Sequence, residues 1–122
     1  MFKLMIVDDS MLIRKKIERE CDQRQFNVVG TAEDGAAAIS LFKKVSPDVV
    51  TMDLTMPHLD GIECIKGLVK LQPKVRILVI SALNDKATGI KALEKGAMGF
   101  VTKPFSGQEL QSALGEIIDD DV

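Results

Sequence analysis

The chain is short of the residues that staple small scaffolds together. Its 122 residues include two cysteines, Cys21 and Cys64, and neither has a Cys or His close by in sequence. That isolation excludes a disulfide framework and a zinc cluster, and leaves two small residues buried in a reducing compartment. Histidine is scarcer still: His58 is the only one, and in the loop after Pro57 it reads as a surface residue rather than a phosphohistidine or a ligand. No apolar run approaches the ~20 residues of a membrane span. Asp8-Asp9 interrupts the first apolar run before it could serve as a signal peptide, so a cytoplasmic location is expected. Charge of one sign is also missing. Sixteen basic residues face eighteen acidic ones, for a net charge of −2, which gives no reason to expect nucleic acid or an anionic membrane as partner. Linkers, repeats and low-complexity segments are absent, so residues 1–122 are expected to form one domain, long enough to bury its own core.

What is present is an alternation. Phe2 to Val7 is an apolar run that reads as a buried strand and ends on Asp8-Asp9. Ser10 is placed to cap a helix with Ile13, Ile17 and Cys21 inward. A weaker strand, Phe26 to Thr31, contains Asn27 and Gly30 and suits a sheet edge. Asp34 caps a helix that turns Ala38, Leu41, Phe42 and Val45 inward. Val49 to Met52 is a short β-branched run, hence a buried strand, and it ends on Asp53. Pro57 stops it, and Asp60 with Glu63 resembles a capping box for a helix striped by Ile62, Ile65, Leu68 and Val69. Val75 to Ile80 is a fourth strand, followed by Ser81. Asn84 opens a fourth helix, with Ala87, Ile90 and Leu93 inward and Gly96 at its end. Ala97 to Thr102 is a fifth strand ending on Lys103-Pro104. Ser106 and Glu109 form a capping box for a last helix striped by Leu110, Ala113, Leu114 and Ile117. Strand and helix alternate five times. That pattern predicts an α/β fold of three layers, flavodoxin-like, with a parallel five-stranded sheet in the order 2-1-3-4-5.

The ends of the strands carry unusual side chains. The first ends on Asp8 and Asp9, the third on Asp53, the fourth on Ser81 and the fifth on Lys103. In a parallel sheet all these ends lie at one edge, where ligands bind in open α/β folds. A hydrophobic strand needs no acid at its tip, and a lone buried carboxylate is costly. Three carboxylates repel one another, and Mg²⁺, which takes oxygen ligands and keeps several waters, would offset that repulsion. A lysine presents a point charge suited to phosphate, a serine can donate to a phosphoryl oxygen, and an aspartate can itself be the nucleophile of an acyl phosphate. Together the parts describe phosphoryl transfer to Asp53. Each residue alone has a plainer reading, Asp9 as a helix cap and Lys103 as the ion-pair partner of Asp53. Their joint occurrence at four strand ends is what singles them out.

On the runs Leu4 to Ser10, Asp48 to Gly61, Val79 to Ala82 and Gly96 to Phe105, the chain resembles the receiver domains of two-component response regulators, and among them the stand-alone chemotaxis regulators. The resemblance extends over the whole chain. It implies that Asp53 is the phosphoacceptor, that Asp9, Asp53 and the Thr55 backbone carbonyl hold Mg²⁺, and that Asp8 acts on the ion through water. It implies that Ser81 is the switch hydroxyl, Phe100 the switch aromatic and Lys103 the phosphoryl contact, with a cis bond between Lys103 and Pro104. Many relatives have Thr where Ser81 stands and Tyr where Phe100 stands. Thr55 and Leu83 occupy variable positions that tune dephosphorylation. The implied partners are a histidine kinase, a downstream protein such as the flagellar motor switch, and a phosphatase. A monomeric binding module without an output domain is expected, not an enzyme.

Three other functions compete. A phosphorelay intermediate would use the same site and pass its phosphate to a histidine phosphotransfer protein. A phosphatase with an Asp nucleophile, of the haloacid dehalogenase type, wants a second acid where Thr55 stands. A flavin or nucleotide binder of the same topology should cradle phosphate in its first loop, where Asp8-Asp9 would repel it. Lys86, Lys91 and Lys95 along the fourth helix suit either a solvated face or an acidic partner docking there.

Overall fold

The computed structural model describes residues 1–55, 61–82 and 85–119. Expectations for Pro57, His58, Asp60, Leu83, Asn84 and the Asp120-Asp121 tail lie outside them. The elements alternate as anticipated: β1 (Phe2–Val7), α1 (Met11–Glu20), β2 (Phe26–Ala32), α2 (Gly35–Val45), β3 (Val49–Asp53), α3 (Gly61–Leu71), β4 (Arg76–Ala82), α4 (Lys86–Glu94), β5 (Gly99–Lys103) and α5 (Gly107–Ile118). The strands form one sheet in the order β2-β1-β3-β4-β5, and every pairing is parallel.

Side chains alternate across a strand, and the sheet is apolar on both faces because helices cover both. On one face Met5, Val7, Val50, Met52, Ile77 and Val79 pack with Phe42, Ile65, Leu68 and Ala92 of α2, α3 and α4. On the other Leu4, Ile6, Val49, Leu78, Ile80 and Val101 pack with Ile17 of α1 and Leu110, Leu114 and Ile117 of α5. Each large side chain so buried contributes roughly 1.5–3 kcal/mol relative to exposure. Cys21 and Cys64 are buried and free. Burial pushes the Cys64 thiol up to about 11, so it is not a reactive thiolate at neutral pH.

The caps follow the sequence signals. Ser10 Oγ accepts from the Ile13 N–H at 3.3 Å, and Asp34 Oδ1 accepts from the Ala37 N–H at 2.8 Å. Ser106 and Glu109 close the capping box of α5 at 3.0 and 3.1 Å. Phe105 precedes that cap and shares a core cluster with Leu110, the arrangement of a hydrophobic staple. The Lys103–Pro104 bond is cis, as the resemblance implied.

Three boundaries differ in ways that bear on the site. Asp53 is the last residue of β3 itself, Ser81 lies within β4 rather than after it, and β5 starts at Gly99 and takes in Lys103. Helix α4 is rotated from expectation. Ile90 and Leu93 point outward, 53% and 36% exposed, and Ala87 is exposed as well. Its buried residues are Gly89 and Ala92, and its cap is Asp85. The cause is depth. The Phe100 ring already lies 3.4 Å from where a Cβ on Gly89 would sit, so only the smallest side chains fit beneath the helix.

Two glycines make opposite predictions. Gly96 follows α4 with φ +122°, and a Cβ there would stand 2.8 Å from Val69 Cγ2. Gly96→Ala should destabilise the fold by about 1–3 kcal/mol. Gly115 is inside α5 with nothing within 4 Å of an added Cβ, and Gly115→Ala should stabilise by about 0.5–1 kcal/mol. Urea midpoints at unchanged m-value will read both.

Candidate functional site

The edge formed by the carboxyl ends of β1, β3, β4 and β5 gathers the polar residues singled out above. Val7 pairs with Met52, Asp53 with Ile80, and Ala82 with Lys103, so the strand tips lie side by side. Alternation then divides the tips between the two faces. Asp8, Asp53 and Lys103 continue the rows of Leu4 and Ile6, Val49, and Val101, which face α1 and α5. Ser81 and Phe100 continue the rows on the other face, towards α3 and α4.

Asp8 and Asp53 are completely buried, whereas Asp9 is exposed. One carboxylate oxygen from each of the three lies within 4.8 Å of the others. Local turns hold the acids. Asp8 Oδ1 accepts from the Ser10 N–H at 2.9 Å, and Arg14 Nη1 donates to the Asp8 carbonyl at 2.7 Å. Asp53 Oδ1 accepts from the Thr55 N–H at 2.8 Å and from the Thr55 hydroxyl at 2.6 Å. The Lys103 ammonium stands 3.3 Å from Asp53 Oδ2 and 3.6 Å from Asp8 Oδ2, and it donates to Thr55 Oγ1 at 3.4 Å. Lys103 thus pairs with both acids, not with Asp53 alone.

The second oxygens of the buried acids are the unfinished part. Asp8 Oδ2 and Asp53 Oδ2 have ion-pair contact with Lys103 but no partner in hydrogen-bond geometry, and buried Ser81 Oγ has none either. Three carboxylates against one ammonium leave two negative charges uncompensated, the deficit a divalent cation matches. The donors are all oxygen, which suits a hard cation. The unpartnered Oδ2 of Asp8, the exposed Asp9 and the Asp53 carboxylate fit such an ion. The strain shows at Asp8, whose carboxyl is pushed from the ordinary 3.8 up to about 6. Burial is the largest cause and the Asp53 charge adds to it, against the Ser10 N–H and Lys103.

The sequence assigned Thr55 a metal-binding carbonyl and a position that tunes dephosphorylation, but not the hydrogen bonds its N–H and hydroxyl give to Asp53. The available signal was a hydroxyl residue two positions after an acid, the spacing at which side chain and backbone close a local turn. Arg14 lies between the inward positions Ile13 and Ile17, and periodicity gives no signal for its contact with the Asp8 carbonyl. A separate cavity of about 520 Å³ opens at the amino ends of the strands, between Phe2, Phe42, Pro47 and Val75. Its lining contributes none of the four unpartnered buried polar atoms found among the described residues, and three of those, on Asp8, Asp53 and Ser81, are at the carboxyl edge.

Residues 4–115 match the response regulator receiver domain family. The chain belongs to that family. It is 37% identical to the chemotaxis protein CheY of Listeria monocytogenes, across 93% of this chain and 96% of that protein. It is 43% identical to a protein-glutamate methylesterase/protein-glutamine glutaminase of Cupriavidus metallidurans, across 86% of this chain but 30% of that protein. Among solved structures it is similar to the CheX–CheY–BeF3–Mg²⁺ complex of Borrelia burgdorferi, with a TM-score of 0.88 and 32% identity, across 96% of this chain and 89% of that one.

The raised Asp8 carboxyl predicts a pH effect. Between about pH 4 and 6 the folded carboxyl keeps a proton that the unfolded chain has released, so stability falls as pH rises through that window. Above it the full penalty applies, at most about 3 kcal/mol. Asp8→Asn keeps the acceptor for Ser10 and loses the charge. Without divalent cations it should be more stable than wild type at pH 7.5 by up to that amount and equal to it near pH 4, as read by urea denaturation.

Proposed function

We propose that this receiver domain is a phosphorylation-controlled signalling switch that takes a phosphoryl group from a histidine kinase onto Asp53. The single observation that carries this reading is the state of the Asp53 carboxylate. Oδ1 accepts from two Thr55 donors, whereas Oδ2 is buried, unpartnered and 3.3 Å from the Lys103 ammonium. Oδ2 forms the new bond to phosphorus as the bond to the donor's histidine nitrogen breaks, and the imidazole leaves with that electron pair. Catalysis here is positioning and charge neutralisation. Asp9, Asp53 and the Thr55 carbonyl would hold Mg²⁺, with Asp8 acting through water. The ion, when bound, supplies charge compensation for the carboxylates and the incoming phosphoryl oxygens. Lys103 follows the added charge.

The output passes through the other face of the sheet. Ser81 Oγ is buried without a partner, and it moves towards the new phosphoryl oxygens. Phe100 occupies the space so vacated, and its ring already rests on Gly89 of α4. Phe100 lacks a hydroxyl, so turning inward leaves no polar group unpaired. The surface of α4, β5 and α5 then changes its affinity for a downstream protein. Likeness to chemotaxis proteins along nearly their whole length favours chemotaxis, with a target such as the flagellar motor switch and a phosphatase to end the signal. The domain works in the cytoplasm as a monomer, as a switch and not an enzyme. Among the described residues no helix is long and apolar enough to cross a membrane.

Incubation with Mg²⁺ and a small phosphodonor should add one hydroxylamine-labile phosphate. EDTA should prevent the addition and Asp53→Asn should abolish it; normal labelling of that variant would refute the assignment. A beryllofluoride mimic should shift the NMR signals of α4 and β5 in the wild type. Ser81→Ala should bind the mimic yet show much smaller shifts, and equal shifts in the two proteins would exclude Ser81 as the coupling group.

A further inference from the structure

Helix α1 grows directly out of the acidic turn, and two of its cations reach backbone carbonyls. Arg14 holds the Asp8 carbonyl. Lys16, one half-turn further on, donates from Nζ to the carbonyl of Phe105, 89 positions away in sequence. The same ammonium lies 4.5 Å from the centroid of the Phe105 ring. That ring is 4% exposed and sits in the core between the sheet, α1 and α5. A surface lysine ordinarily keeps its head in water, because ordering a four-carbon stem costs rotamer freedom. Here the head is committed to one residue by a charge-assisted hydrogen bond and a cation–π contact at once.

Phe105 stands two residues after Lys103, with Pro104 between them. Proline fixes its own φ, which removes one of the few backbone rotations between Lys103 and Phe105 and couples their positions. The Lys103 ammonium contacts the two buried carboxylates at 3.3 and 3.6 Å, outside hydrogen-bond geometry. Its position therefore depends on where the backbone places the base of a flexible side chain.

We propose that Lys16 is a positioning residue for Lys103. Through the Phe105 carbonyl and ring it fixes the segment that carries Lys103, and so sets the distance from that ammonium to a phosphoryl group on Asp53. The inference rests on the reading that Lys103 contacts the phosphoryl group. Helix α1 thereby holds both sides of the site: Arg14 secures the acid turn and Lys16 secures the cation.

The test is a double-mutant cycle. The chain contains no Trp or Tyr, so beryllofluoride binding in the presence of Mg²⁺ is followed by ¹⁹F NMR. The variants are Lys16→Met, which keeps the stem and removes the ammonium, Lys16→Arg, Lys103→Ala and the double variant Lys16→Met/Lys103→Ala. Lys16→Met should bind the mimic on the order of tenfold more weakly, since ~1 Å of remote misplacement can cost that much or more. Its affinity for Mg²⁺ alone should stay near wild type, its thermal midpoint should fall with the two lost contacts, and Lys16→Arg should recover most of both losses. In the Lys103→Ala background Lys16→Met should cost nothing further. A loss of the same size with and without Lys103 would show a merely structural role and overturn the proposal, as would wild-type binding by Lys16→Met. If Lys103→Ala alone binds as wild type, the phosphoryl role of Lys103 fails, and the role of Lys16 fails with it. Should Lys16→Met not fold, Lys16→Gln enters the same cycle.

Discussion

Two carboxylates buried side by side with one ammonium are the interaction around which this domain is arranged. Asp8 and Asp53 are fully buried at adjacent strand ends. Neither helps the core, and their mutual repulsion in a poorly solvated site opposes folding. Three features make the arrangement tolerable. Each acid gives one oxygen to local backbone donors, those of Ser10 and Thr55. Lys103 reaches both second oxygens from β5. The two apolar faces of the sheet supply the stability that the edge gives up. The proposed function draws on the remaining electrostatic deficit, because a site short of positive charge is ready for a cation and, with that cation, for a phosphoryl group.

The sheet separates chemistry from output by the parity of its strands. Residues that continue the α1/α5 face at the carboxyl edge are the two buried acids, Asp8 and Asp53, and Lys103. Those that continue the α3/α4 face are Ser81 and Phe100. A group added to Asp53 thus sits at the boundary between two packing layers, and Ser81 is the nearest hydroxyl on the far side of that boundary by strand register. The second layer is suited to change. Helix α4 buries only Gly89 and Ala92, so few apolar contacts hold it in one place. Ile90 and Leu93, facing outward, are available to whatever docks there.

Helix α1 has the complementary role. It is anchored by Ile17 in the core and capped by Ser10, and Arg14 and Lys16 join it to the two segments that carry the charged groups. A first helix tied to the site on one face of the sheet and a fourth that buries little on the other suit the proposed two-state switch.

Much of this was written in local sequence. The five alternating elements, the caps at Ser10, Asp34 and Ser106, the edge character of β2 and the burial of both cysteines follow from period, capping chemistry and residue size, which act over a few residues. The acids, Ser81 and Lys103 were legible because a parallel sheet sends all strand ends to one edge. What needed the tertiary structure involved depth and reach. The rotation of α4 depended on the Phe100 ring beneath Gly89, and apolar periodicity measures hydrophobicity without measuring the space available. The pairing of Lys103 with both acids, the Thr55 hydroxyl on Asp53 Oδ1 and the hold of Lys16 on Phe105 depended on where long or mobile side chains end. The sequence by itself determined which residues arrive at the edge, because the strand period is a property of the backbone. Only the packed structure decided which of their atoms meet, because side-chain contacts are selected by every neighbour at once.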